Sequence, residues 1–301
     1  MMRFALVFFM ATALLLGAWD TAAAPFRVVT TTPDLAAVAS AIGGDRVHVR
    51  SLSAPTEDPH WVDPKPSLAL ELSNAELLIA VGAELEVGWL PTLQVGSRNG
   101  KVQKGSRGYL ECSELVTLLE VPRGKVDRSQ GDLHPSGNPH YMLDPRAVER
   151  VAVGIGKRLA ELDPPGHAVY LERTKQFVSG LRGARARWEE QLASLRGRSV
   201  ITYHRSLRYL ADWLGLVVVD HLEPKPGVSP SPSHVAAVIR RAQERKVRLL
   251  VQERHHPTNT SELVAKKSGA TLVRIPGTAR FPAQTYVAFM DEIVKALAGA
   301  R

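Results

Sequence analysis

Three short segments place histidine beside turn-forming or strand-ending residues: Glu57-Asp58-Pro59-His60, Asn138-Pro139-His140 and Thr202-Tyr203-His204. Imidazole is the commonest protein ligand for zinc and related ions. Three neutral imidazoles suit Zn²⁺ in a tetrahedral site, whereas Mn²⁺ favours carboxylate-rich sites. Two carboxylates are candidates to add an oxygen donor. Glu253 closes the apolar run Leu249-Leu250-Val251-Gln252, where a charged group needs a partner. It reads as a fourth ligand or as an acceptor that orients His204, with Glu57 as the alternative fourth ligand. His134, His255 and His256 are secondary candidates to assist metal transfer, His134 reading first as a surface-loop residue. His48, His167 and His221 read as structural, and His234 as a solvated residue of a helix's first turn. Trp61, beside His60, is expected to roof the site, and Trp89 and Trp213 to pack in the core.

The elements that must carry these residues alternate. Phe26 to Thr32 reads as a buried strand, Pro33 opens a helix, and Gly43-Gly44 stops it. Strands follow at Val47 to Leu52 and Leu77 to Val81, with a short helix at Ser67 to Leu72 between them. Residues 98–135 are polar and Gly-rich and read as loops and short elements. Asp144 and Pro145 are a good N-cap and first residue for a helix reaching Leu162. The next helix is the longest, at 164–197. Its expected apolar face runs through Leu171, Val178, Leu181, Trp188, Leu192 and Leu195. A second alternation begins at Ser199, with strands at Val200 to Tyr203, Leu216 to Asp220, Val247 to Glu253 and Thr271 to Ile275. Four prolines stiffen the loop Glu223 to Ser233, and Ser231 is placed to cap the helix that follows. Both halves therefore read as parallel α/β units with ligand-capable residues at strand C-termini, where open α/β sheets bind ligands.

The chain opens with Met1-Met2-Arg3, an apolar run from Phe4 to Trp19, and Thr21-Ala22-Ala23-Ala24. That is the pattern of a cleavable secretory signal peptide, expected at 1–24, and the apolar run is short for a membrane span. The single cysteine, Cys112, cannot form an internal disulfide, and no cysteine stands near the cleavage site to carry a lipid. A soluble periplasmic protein without a lipid anchor is expected. The net charge of +8 is scattered, with no basic block interleaved with aromatics, so no nucleic-acid partner is expected.

Several segments together resemble a known family, in its order and spacing over essentially the whole mature chain. They are Pro59-His60 before Pro66-Ser67, Asn74-Ala75-Glu76-Leu77 leading into Val81-Gly82, Gly137 to Pro145, Tyr203-His204, Pro230-Ser231, and Glu253 at a strand end. The family is that of the metal-binding subunits of bacterial zinc and manganese uptake ABC transporters, periplasmic solute-binding proteins with a helical interdomain spine. The resemblance implies an α/β fold of two lobes, each a parallel β-sheet flanked by helices, with the cleft between them. The expected boundaries are an N-terminal lobe at 25–163, a linking helix at 164–197 and a C-terminal lobe at 198–301. It also implies that His60, His140 and His204 bind the metal and that the chain is a monomer delivering its ion to an ABC permease, and the stiff linking helix predicts modest closure. The Asp that many members supply after the last strand is missing from Leu272-Val273-Arg274-Ile275-Pro276-Gly277, which favours zinc over manganese and leaves the fourth position to Glu253, Glu57 or water. Only Asp132 and His134 stand where some zinc-binding relatives carry a long His- and Asp-rich loop. The rivals from other classes are a secreted zinc hydrolase and a metal-stabilised adhesion module. Against the hydrolase, the chain has neither a His-Glu-x-x-His helix motif nor a Gly-x-Ser-x-Gly elbow.

Overall fold

The computed structural model describes residues 24–124, 131 and 134–300. The expected signal peptide, save Ala24, and Asp132 lie outside the described residues. The first half runs β1 (Phe26–Thr30), α1 (Pro33–Gly43), β2 (Val47–Ser51), α2 (Pro66–Ser73), β3 (Leu77–Ala80), α3 (Leu90–Ser97), β4 (Tyr109–Glu111) and α4 (Pro145–Leu162). Then comes the long α5 (His167–Gln191). The second half runs β5 (Ser199–Thr202), α6 (Arg208–Leu214), β6 (Val217–His221), α7 (Pro232–Glu244), β7 (Leu249–Glu253), α8 (Asn259–Ser268), β8 (Thr271–Ile275) and α9 (Tyr286–Ala298).

Each half forms one four-stranded parallel sheet, ordered β2-β1-β3-β4 and β6-β5-β7-β8. The two-lobe α/β fold is therefore present. β3 and β7 are buried along their whole length, as central strands covered on both faces must be. In both sheets the chain reverses its direction of winding between the first and third strands. A crevice opens beyond the strand C-termini at such a point. His204 lies just past β5 and Glu253 ends β7, so both stand at the second sheet's reversal.

α5 is about 37 Å long at the usual rise per residue, with 3₁₀ turns at Pro164–Gly166 and Ala193–Leu195 on either side. Its buried stripe is Tyr170, Thr174, Leu181, Ala184 and Trp188. Leu171, expected on the apolar face, is 42 % exposed. It is turned about 100° from Tyr170, and Tyr170 takes the inward position because its hydroxyl reaches Asp163 at 2.6 Å. At the other end Trp188 Nε1–H donates to Asp291 at 2.6 Å. α3 and β4 lie in stretches where the sequence pattern is too short or too polar to announce them.

One apolar core runs through both halves, from Val28 and Leu35 through Leu181 to Val251 and Phe289. Two smaller clusters cover the remaining sheet faces, one around Leu78 and Trp89 and one around Ile201 and Leu250. Hydrogen bonds also tie the halves together. Tyr286 donates to the Met142 carbonyl at 2.8 Å, and Tyr209 donates to the Asn138 carbonyl at 2.7 Å while accepting from Leu119 N–H at 2.8 Å.

Candidate metal centre

His60 sits in the turn-rich loop after β2. Its backbone N–H and its Nδ1 both reach Asp58 Oδ1, at 3.0 and 2.7 Å. With Nδ1–H donated to a carboxylate, Nε2 carries the lone pair. Burial pushes the Asp58 carboxyl up, but its hydrogen bonds from His60 outweigh this and hold it well below the usual carboxylate range. Trp89 Nε1–H donates to the Pro59 carbonyl at 2.9 Å and supports the loop from its buried side. Trp61 does not roof the site: it is 69 % exposed. Its N–H closes a turn onto the Asp58 carbonyl, and the space under the loop is taken by Trp89.

His140 precedes the 3₁₀ turn Tyr141–Leu143 that leads into α4, whose N-cap is Asp144 as expected. Its N–H donates to Asn138 Oδ1 at 3.0 Å, and Tyr141 donates to the Val81 carbonyl at the end of β3 at 2.6 Å. Its Nε2 is buried and makes no hydrogen bond. Burial first, then the nearby His60 and His204, hold this imidazole far below its ordinary pKa, so it is neutral.

His204 follows β5, and its Nδ1 bonds Glu223 Oε2 at 2.6 Å. Burial works against the charged ring, but Glu223 outweighs it and raises the pKa. Glu223, not Glu253, is the residue that orients His204. Nothing in the sequence pattern marks it: it follows β6, and only the β5–β6 pairing brings the two strand ends together. The proline-rich loop holds it in place, since Gly227 N–H also donates to Glu223 at 3.1 Å.

The three rings converge. Their centres are 5.1 Å (His60–His140), 5.7 Å (His60–His204) and 5.5 Å (His140–His204) apart. One donor atom from each lies within 4.8 Å of the other two, and among the described residues no fourth His, Cys, Asp or Glu joins this group. Glu253 and Glu57 line the adjoining cavity with His255 and His256. Glu253 is buried, with one oxygen accepting from Ser206 Oγ and the other 3.5 Å from His256 Nε2. Glu57 accepts from Ala54 N–H at 2.9 Å.

His134 is a correction. Instead of standing free on a surface loop, its ring packs on His60 with Nε2 3.2 Å from His60 Nε2. Burial, then His60 and His204, push it down to about 3, although a bond to the Ala83 carbonyl opposes the shift. Among the structural histidines, His221 bonds Thr202 Oγ1 at 2.7 Å. His234 is half-buried, not solvated, with Nε2 3.0 Å from the His221 carbonyl.

Residues 28–300 match the family model of the periplasmic zinc-uptake complex component A. The chain belongs to this family. The chain is similar to a high-affinity zinc uptake system protein of Bacillus subtilis, 22 % identical over 84 % of this chain and 79 % of its own. It is also similar to a metal ABC transporter substrate-binding lipoprotein of Streptococcus cristatus, 23 % identical over 78 % of this chain and 74 % of its own. A crystal structure of ZnuA matches with a TM-score of 0.78 and 27 % identity, covering 92 % of this chain and 99 % of that one. A zinc-bound ZnuA deletion mutant matches with a TM-score of 0.77 and 26 % identity, covering 92 % and 98 %.

Proposed function

We propose that this chain is the periplasmic substrate-binding component of an ABC-type uptake system for a divalent transition metal, with zinc as its cargo and manganese as the alternative. His60, His140 and His204 are the proposed ligands. Glu253 is the first candidate for the fourth donor and Glu57 the second. The observation that carries this reading is the orientation of the imidazoles. His60 and His204 each commit Nδ1 to a carboxylate, which leaves Nε2 as their donor atom, His140 adds a buried Nε2 that nothing else satisfies, and one donor atom from each of the three rings lies within 4.8 Å of the other two. An all-imidazole trio favours Zn²⁺ over Mn²⁺. Relatives named for zinc and for manganese both support metal capture.

The proposed organisation is an N-terminal lobe at 25–163, a linking helix at 164–197 and a C-terminal lobe at 198–301. The partner is the membrane permease of the uptake system, the chain acts as a monomer, and it performs no catalysis. Three His ligands with an open position also describe hydrolytic zinc, but delivery needs binding without turnover. The Streptococcus cristatus relative is named a lipoprotein. In residues 1–301 the one cysteine is Cys112, buried in the core.

The test is calorimetric titration of the metal-stripped protein with Zn²⁺ and, separately, Mn²⁺, repeated on His140→Ala. Tight one-to-one Zn²⁺ binding that collapses in the variant is expected. Binding of neither ion would end the metal-receptor reading, and ester or peptide turnover would favour the hydrolase.

A further inference from the structure

The cavity beside the three imidazoles measures about 60 Å³. Among the described residues, the buried side-chain atoms without a hydrogen-bond partner are Thr32 Oγ1, His140 Nε2, Glu253 Oε2, His256 Nε2 and Thr278 Oγ1. All five residues line this one cavity. Leaving such a group unpaired costs about 1–3 kcal/mol. Thr32 and Thr278 face the Asp34 carboxyl, so His140, Glu253 and His256 are the groups left to a polar or charged occupant of the cavity. A single ion on the trio engages His140 Nε2. It leaves Glu253 Oε2 and His256 Nε2, which face each other at 3.5 Å outside the trio.

We propose that Glu253 and His256 form a second divalent-cation station beside the His60–His140–His204 site, with the Glu253 carboxylate common to both. The proposal rests on the trio being the primary metal site. An ion bound tetrahedrally at about 2.0–2.2 Å keeps its ligand atoms about 3.3–3.5 Å apart, which is the spacing of this pair. Both groups are held in position. The second Glu253 oxygen accepts from Ser206 Oγ, and the His256 ring stacks on Tyr203 with centres 4.3 Å apart and planes 16° apart. The centre of the His256 ring is 6.0 Å from that of His204, so an ion passes between the two sites in one short step without releasing Glu253. His255 lines the same cavity, its ring 4.1 Å from that of His256. The station serves as the last stop of an ion entering the trio and the first of one leaving.

The experiment titrates the metal-stripped full chain with Zn²⁺ and with Co²⁺, then times Zn²⁺ transfer from the loaded protein to a chelator. It uses the wild type, His256→Phe, Glu253→Gln and His140→Ala. His256→Phe keeps the ring stacked on Tyr203 and removes the donor nitrogen. We expect one tight and one weaker step in the wild type. His256→Phe should lose the weaker step, keep the tight one, and slow transfer by about tenfold, the low end of what losing a supporting group costs a metal site. Glu253→Gln should weaken both steps. A single step in the wild type, or a weaker step that survives both His256→Phe and Glu253→Gln, would overturn the station. If His140→Ala retained the tight step, the trio reading itself would fall and the station with it. Loss of that step in His140→Ala, with His256→Phe unchanged in both steps and in rate, would remove the station alone.

Discussion

His60, His140 and His204 are legible as a set because each stands where an element begins or ends and all three fall in the order of the family the chain resembles. Their supporting residues were not equally legible. Asp58 lies two positions from His60 and its part is local. Glu223 is nineteen residues from His204, and only the strand pairing joins them. His134 is harder still, since nothing local directs a loop imidazole onto the His60 ring. Glu223 gives the sharpest residue-scale prediction. Its carboxylate fixes the His204 tautomer, so Glu223→Gln should weaken Zn²⁺ binding by about 10- to 100-fold while the protein remains folded. Competition titration against a chromophoric chelator reads this directly, and unchanged affinity would show that His204 needs no such partner.

At the scale of elements, the buried strands β3 and β7 and the capped helix α4 declare themselves through apolar runs and the Asp144-Pro145 start. α5 declares its length but misleads about its face. Counting apolar residues selects Leu171, whereas the inward position belongs to Tyr170, an aromatic whose hydroxyl finds Asp163. β4 has three residues and exists only because β3 offers an edge to pair with. The stripe assignment is testable by chemical denaturation. Trp188→Ala should cost about 3–5 kcal/mol, as large core truncations do, and it also strips Asp291 of its donor. Leu171→Ala should stay within about 0.5 kcal/mol, as surface changes do. Equal losses would place the helix in a different rotation.

Across the whole molecule, one core and several hydrogen bonds join the two halves, so the lobes are expected to move little when metal binds. Small-angle scattering of metal-free and Zn²⁺-loaded protein should give nearly the same radius of gyration, and a marked contraction on loading would contradict the shared core. Stability should also depend on acidity. Burial, with the Arg205 charge next, pushes the His221 imidazole down from 6.5 to about 4. The unfolded chain takes up this proton near pH 6.5, the folded protein only near 4. The full stability is therefore present above about pH 6.5 and is lost as pH falls toward 4, by on the order of 3 kcal/mol for this group. His221→Asn keeps a donor for Thr202 and removes the titration. Urea melts of the metal-free protein at pH 7 and pH 4.5 should show a smaller fall in the variant than in the wild type, and equal falls would acquit His221.

Tyr209 carries a consequence for timing. It bonds the Asn138 carbonyl, and Asn138 Nδ2–H donates to the Arg205 carbonyl at 3.0 Å. The backbone just ahead of His140 is thus stitched to the backbone just after His204. Two proposed ligands from opposite lobes then travel as one piece. The conformational part of ion exchange is then left to ring rotation and loop motion, on nanosecond to microsecond clocks, and the slower reorientation of whole domains is not required of it.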